Sequence, residues 1–138
     1  MTDQNRTAMF IARFMMALIF LVAGVRKLMA WGATAGYFGK LGIPMPELVL
    51  PLVVALEIGG AIALILGWRL RLVCALLGAF TLASGFLGHA FWSAEPAQYA
   101  AQLNNFLKNV SMTGGFLMLA CLATGVNSPR LAGRPVTP

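Results

Sequence analysis

Charge is what this sequence has least of. Four acidic and ten basic residues supply only 10% of its 138 positions, whereas a soluble domain carries about 25% charged residues. So few charges cannot cover a water-facing surface, which excludes an ordinary soluble globule. Cysteine is scarce too: Cys74 and Cys121 form no CxxC pair and have no metal-like spacing, and near the reducing cytoplasmic ends of their spans they are expected to be packing residues rather than a redox pair. A single histidine, His89, has no second ligand at a matching interval, so no metal site is expected.

What is present is apolar. Hydrophobic residues make up 59% of the chain, and the mean hydropathy is +0.82. Lipid is the solvent that accepts such a surface. Four apolar runs, at about 8–25, 48–66, 72–92 and 106–124, each approach the roughly 20 residues a helix needs to cross a bilayer. The expected fold is therefore all-α, a single domain over residues 1–138 containing an antiparallel bundle of four transmembrane helices.

The connections differ in kind. Gly67 to Arg71 leaves room only for a tight turn between the second and third spans. The first connection, about 26–47, carries Trp31, Tyr37, Phe38 and Leu41 and ends in Gly42, Pro44 and Pro46. It is expected to lie in the membrane interface rather than to hang free. The third connection, about 93–105, is polar, and the tail after Gly125, rich in Pro and Gly, is expected to be loose. Arg6 ahead of the first run resembles a signal peptide, but Arg13 interrupts that run and Arg26 and Lys27 close it, which favours a retained anchor. Repeats of Gly59, Ala63 and Gly67, and of Ala75, Ala79 and Ala83, suggest faces where helix backbones approach closely.

A net charge of +6 could signal nucleic acid, but the bases stand singly or in pairs at the ends of apolar runs. They form no stripe of the kind that tracks a phosphate backbone. With four spans, Arg6, Arg13, Arg69, Arg71, Arg130 and Arg134 fall on one side and Arg26, Lys27, Lys40 and Lys108 on the other. Six against four favours both termini in the cytoplasm. Trp31, Tyr37, Phe38, Phe91, Trp92 and Tyr99 at one face and Trp68 at the other suit the headgroup level.

Polar residues inside apolar spans need a reason, since an ionisable group at the bilayer centre costs about 2.5–3.5 kcal/mol on insertion scales. Glu57 is the sharpest case, about 14 Å from either end of its span. Helical side chains lean towards their own N-terminus, so Arg13 leans one way and Glu57 the other, which argues against pairing them. Gly85, His89 and Trp92 share one stripe, and Asn105, Lys108, Met112 and Gly115 share another, with Asn109 beside it. Lys27 closes the first span at the same face. Glu57, His89, Trp92, Asn105, Lys108, Asn109 and Lys27 are the candidate ligand-binding residues, converging on a polar pocket built from all four helices. Each also has an architectural reading, as an ion pair, a hydrogen bond or an interfacial anchor.

The same residues carry a family resemblance. Phe20 through Gly24 to Arg26 and Lys27, then Tyr37 and Phe38 leading to Gly42, Pro44 and Pro46, resemble the DoxX family of small bacterial membrane proteins. So do Leu56-Glu57 with Gly59-Gly60, the Gly67 to Arg71 turn, His89 to Trp92, and Asn105 through Lys108-Asn109 to Gly114-Gly115. The resemblance implies a multi-pass protein of the bacterial inner membrane and kinship with subunits of quinone-linked oxidoreductases.

Two readings follow. In one, the chain is a quinone-interacting subunit: His89, Lys108, Asn105 or Asn109 donate to the quinone oxygens, Phe91 and Trp92 wall its ring, and Glu57 carries protons. No haem pair, flavin fingerprint or dithiol is evident, so electrons would come from a partner protein. In the other, it is a non-enzymatic scaffold or a small lipid- or solute-handling protein, acting alone or as a homo-oligomer.

Overall fold

Long apolar runs in lipid must satisfy their backbone internally, and the helix is the form that does so. The computed structural model describes residues 3–126, with side chains from 4 to 123. It contains α1 (Asp3–Met29), α2 (Trp31–Lys40), α3 (Pro46–Leu66), α4 (Leu70–Gly88) and α5 (Pro96–Val126), with a short 3-10 turn at Phe91–Ser93. Of these, α1, α3, α4 with its 3-10 extension, and α5 are long and apolar enough to cross a membrane. Arg130, Arg134 and the tail expected to be loose lie outside the described residues.

Helix α1 packs mainly on α3, and α4 mainly on α5, with α3 against α4 joining the two pairs. The main core contains Ala17 and Phe20 from α1, Ala61 and Leu64 from α3, Cys74 and Leu77 from α4, and Phe116 and Leu119 from α5. The rings of Phe20 and Phe116 meet across it at 5.7 Å. Most other large apolar side chains, among them Phe14, Met15, Leu52, Leu66, Leu117 and Met118, point outwards, as a surface facing lipid requires. Cys74 is buried in the core while Cys121 is exposed on α5, so Cys74 acts as a small packing residue.

The first connection is a helix with a buried side. Ala35 and Phe38 of α2 pack on Leu50 and Val54 of α3, and Trp31 Nε1 donates to Glu47 Oε2 at 3.1 Å. The helix closes where Gly42 N–H donates to Gly39 and Ile43 N–H to the carbonyl of Phe38, both at 3.0 Å. Gly42 takes φ +76° there, a conformation glycine adopts without a Cβ penalty. Ile43 packs back on the Phe38 cluster. Phe38→Ala is expected to remove about 1.5–3 kcal/mol of local burial. Amide exchange should then rise across α2 but not in α4 or α5; unchanged exchange in α2 would show that it is held by something else.

Three expectations need correction. The polar stretch 93–105 is not a loop, because α5 starts at Pro96, ten residues before 106. Proline is suited to a first helical turn, where its missing N–H is not needed, and the Glu95 carbonyl accepts from Gln98 and Tyr99 at 2.8 and 3.0 Å. At 31 residues, α5 is about 46 Å long, longer than the roughly 30 Å hydrocarbon layer. The third span reaches Ser93, but its α-helix stops at Gly88 and a 3-10 turn carries it on. His89 leaves helical geometry at φ −133°, ψ 50°, so Trp92 sits on the 3-10 turn and does not continue the Gly85–His89 stripe.

The small-residue faces also differ. Ala75, Ala79 and Ala83 are exposed, and a Cβ on Gly59 would meet nothing within 4 Å. Ala63 of the expected faces is buried in the core and Gly67 lies against Arg13, but the close approaches between α3, α4 and α5 are made by other glycines. A Cβ on Gly60 would lie 3.0 Å from Leu77 Cδ2, and one on Gly78 3.3 Å from Phe116 Cβ. Spacing of small residues marks a helix face but not which neighbour that face meets.

Candidate functional site

The polar residues of the spans fall into separate groups rather than one pocket. The first is an ion pair. Lys27 Nζ lies 2.7 Å from Glu57 Oε1 and 2.9 Å from Oε2. Glu57 is 3% exposed and the Lys27 side chain 21%. The pair forms because α1 and α3 touch one turn away. A Cβ on Gly24 would lie 2.6 Å from Ile58 Cγ1 and 3.4 Å from Glu57 Cβ, so only a residue without one allows this approach. At the other end of α1 the Arg13 guanidinium lies against Gly67, away from Glu57.

These two contacts set the register of α1 on α3. With Gly24 beside Ile58, α1 ends about 10 Å short of the start of α3. Helix α2 covers the remaining length of α3. The membrane-embedded carboxylate is thereby closed off by Lys27 on one side and by the α1–α3 contact on the other.

The second group lies between α4 and α5. His89 Nδ1 is 3.0 Å from Gln102 Oε1. Six side chains of α5 at alternating spacings of four and three begin with Gln102 and continue through Phe106, Asn109, Thr113, Phe116 and Ala120, the seam that a helix presents to one neighbour. Thr113 Oγ1 donates to the Asn109 carbonyl at 2.9 Å and lies 3.4 Å from the Gly78 carbonyl. A Cβ on Gly85 would lie 3.2 Å from Asn109 Cβ, so Asn109 fills the gap that Gly85 leaves. Where this seam reaches His89, five rings gather. Phe106 stands 5.1 Å from Phe86, 5.3 Å from Phe91 and 6.0 Å from Trp92, and Tyr99 meets Phe91 edge-on at 5.9 Å. Phe86, Trp92 and Tyr99 each keep about half their surface exposed.

Lys108 does not join either group. It is exposed and lines a shallow groove with Asn104, Ser111 and Ile19 of α1. Its stripe faces α1 rather than α4, since a Cβ on Gly115 would lie 3.3 Å from Met16 Cε. Asn105 is half-buried on α5, off the seam. Of the sequence candidates, Lys27 meets Glu57, while His89 pairs with Gln102 and Trp92 joins the ring cluster three residues further on. A four-helix convergence including Lys108 is not formed. Sequence reasoning passed over Gln102, Phe86 and Phe106; the signal was the four-three spacing from Gln102 to Phe116, which crosses the stretch taken for a loop.

A family model described as DoxX matches residues 8–90, from the first turns of α1 to just past His89. The chain belongs to the DoxX family. Two relatives come from Escherichia coli (strain K12). Inner membrane protein YphA is 36% identical over 120 residues, covering 87% of this chain and 86% of the relative. Inner membrane protein YqjF is 34% identical over 120 residues, covering 86% of this chain and 85% of that protein. No solved structure matches. Lys27, Glu57 and His89 of this DoxX chain lie within the matched span, while Trp92, Asn105, Lys108 and Asn109 lie beyond it.

Proposed function

We propose that this DoxX chain is a protein of the bacterial inner membrane, with both termini in the cytoplasm, that holds a quinone headgroup as accessory to a membrane oxidoreductase. The location is supported by the names of the two relatives. The orientation is supported by the sequence's count of bases, six on the side of the termini against four on the other.

The observation that carries the reading is His89 held by Gln102 at the edge of the ring cluster. When Gln102 Oε1 accepts from Nδ1, Nε2 of the neutral imidazole is left as an acceptor, suited to a quinol hydroxyl. Half-exposed Phe86, Trp92 and Tyr99 offer edges and faces to a flat ring. The residues present fit a headgroup held by one imidazole and apolar walls, not one gripped from both sides, because Lys108 faces away. A bound quinone would supply the redox chemistry, and the electrons would come from a partner subunit. This chain's own part is to orient the head and to pass a proton, taken up from water at His89 Nε2, to the oxygen that those electrons reduce.

The Lys27–Glu57 pair supports an architectural role for Glu57 in place of proton carriage. It also favours a second reading in which the whole polar set is architecture and the protein is a non-enzymatic component of the membrane. Quinone binding to the protein in nanodiscs separates the two. Saturable binding that weakens at least about tenfold, a loss of about 1.4 kcal/mol, in His89→Ala but persists in Lys108→Ala is the expected result. No saturable binding to the wild type, or equal binding to His89→Ala, would leave the architectural reading standing.

A further inference from the structure

A second cavity lies at the opposite end from His89. It is a cleft of about 940 Å³ where α1 begins, the α3–α4 turn passes and α5 approaches its end. Arg6, Arg13, Arg69 and Arg71 line it, and no acidic side chain does among the described residues. Four of the ten bases of the chain thus face one cleft, with no carboxylate among its described lining residues. Like charges so gathered repel and destabilise the compact state unless an anion joins them.

Arg13 is held in place by the fold. Its guanidinium rests against Gly67, which has no side chain and takes φ +74°. The Trp68 N–H donates to the Ala63 carbonyl at 2.9 Å and the Gly67 N–H to the Leu64 carbonyl at 3.2 Å, fixing the turn. The Nε of Arg13 is shielded from solvent and has no hydrogen-bond partner among the described residues, an uncommon state for a buried donor. Arg69 stands 5.5 Å over the Trp68 ring, an arrangement that leaves its N–H edges available. Apart from Thr7, the remaining wall is apolar, with Phe10, Leu72 and Leu122. A group that satisfies this cleft must be anionic at one end and hydrocarbon at the other.

We infer that the cleft binds the phosphate headgroup of an anionic phospholipid, with the guanidinium groups on the phosphate oxygens and an acyl chain along the Phe10–Leu122 wall. Guanidinium forks match phosphate oxygens in geometry and charge, and basic pockets between membrane helices take anionic headgroups in this way. The assignment is independent of the quinone reading, which concerns the other end of the bundle.

The test uses the full chain in nanodiscs of phosphatidylcholine with or without phosphatidylglycerol, followed by native mass spectrometry to count retained lipid. The wild type is expected to retain phosphatidylglycerol in preference to phosphatidylcholine. Arg6→Gln combined with Arg71→Gln, both exposed positions, should weaken retention about thirtyfold. Arg26→Gln combined with Lys40→Gln, at the other end, should retain it as the wild type does. Equal retention of the two lipids, or no loss in the Arg6/Arg71 variant, overturns the assignment. So does glycerol 3-phosphate saturating the cleft where phosphatidylglycerol does not, since the occupant would then be a soluble phosphate. Should the variant fail to fold, the wild type decides: a melting temperature raised by phosphatidylglycerol but not by phosphatidylcholine supports the site, and no difference overturns it.

Discussion

Lys27→Met is expected to cost about 3–5 kcal/mol of bundle stability, the usual result of removing one partner from a buried ion pair. It strands a carboxylate that is 3% exposed, with no other ion-pair partner among the described residues. Glu57→Leu is expected to cost less, although it breaks the same contact. Lys27 sits in the last turn of α1, already 21% exposed, and its long stem allows the ammonium to swing to the interface once released. Combining the two substitutions should recover most of the loss, because an apolar pair of similar volume avoids the desolvation of both charges. Thermal unfolding in detergent of the two single variants and the double variant measures all three. Equal losses in the single variants would refute the asymmetry, and a double variant as unstable as Lys27→Met would show that the pair adds stability beyond its own neutralisation.

That asymmetry bears on what could be read from the sequence. The four spans followed from run length and hydropathy, because a chain with so few charges has nowhere else to place its apolar surface. Glu57 stood out because a carboxylate at mid-span is costly wherever it is found. The lean of helical side chains argued against Arg13 as its partner, and Arg13 lies against Gly67 instead. The lean did not choose among Lys27, His89 and Lys108. That choice depends on how far α1 slides along α3, which is set by the fit of Gly24 on Ile58, a contact between residues 34 positions apart.

The stretch 93–105 was misread for a different reason. Hydropathy reports which residues suit lipid, not which are helical, so the polar first turns of α5 looked like a connection. Hiding those turns also hid Gln102 and let the Lys108 stripe stand beside Asn109 as one wall of a single polar pocket. One residue separates Lys108 from Asn109, but on a helix that is a rotation of about 100°, enough to move a side chain from one neighbour to another.

Gly24 therefore invites the most demanding test of how the bundle is held. Gly24→Ala is expected to destabilise the protein by about 1–3 kcal/mol, the range for overpacking a close contact, despite the better helix propensity of alanine. The new methyl would lie 2.6 Å from Ile58 Cγ1, and a β-branched side chain on a helix has no ready rotamer into which to retreat. The helices must part, and as they part Lys27 is drawn from Glu57. Ile58→Ala removes the clashing atoms, so Gly24→Ala with Ile58→Ala should be more stable than the sum of the two single losses predicts. A double-mutant cycle on thermal unfolding reads that coupling directly. If the two losses simply add, the α1–α3 approach does not depend on this contact, and the register that brings Lys27 to Glu57 must be set elsewhere, through α2 and its packing on Leu50.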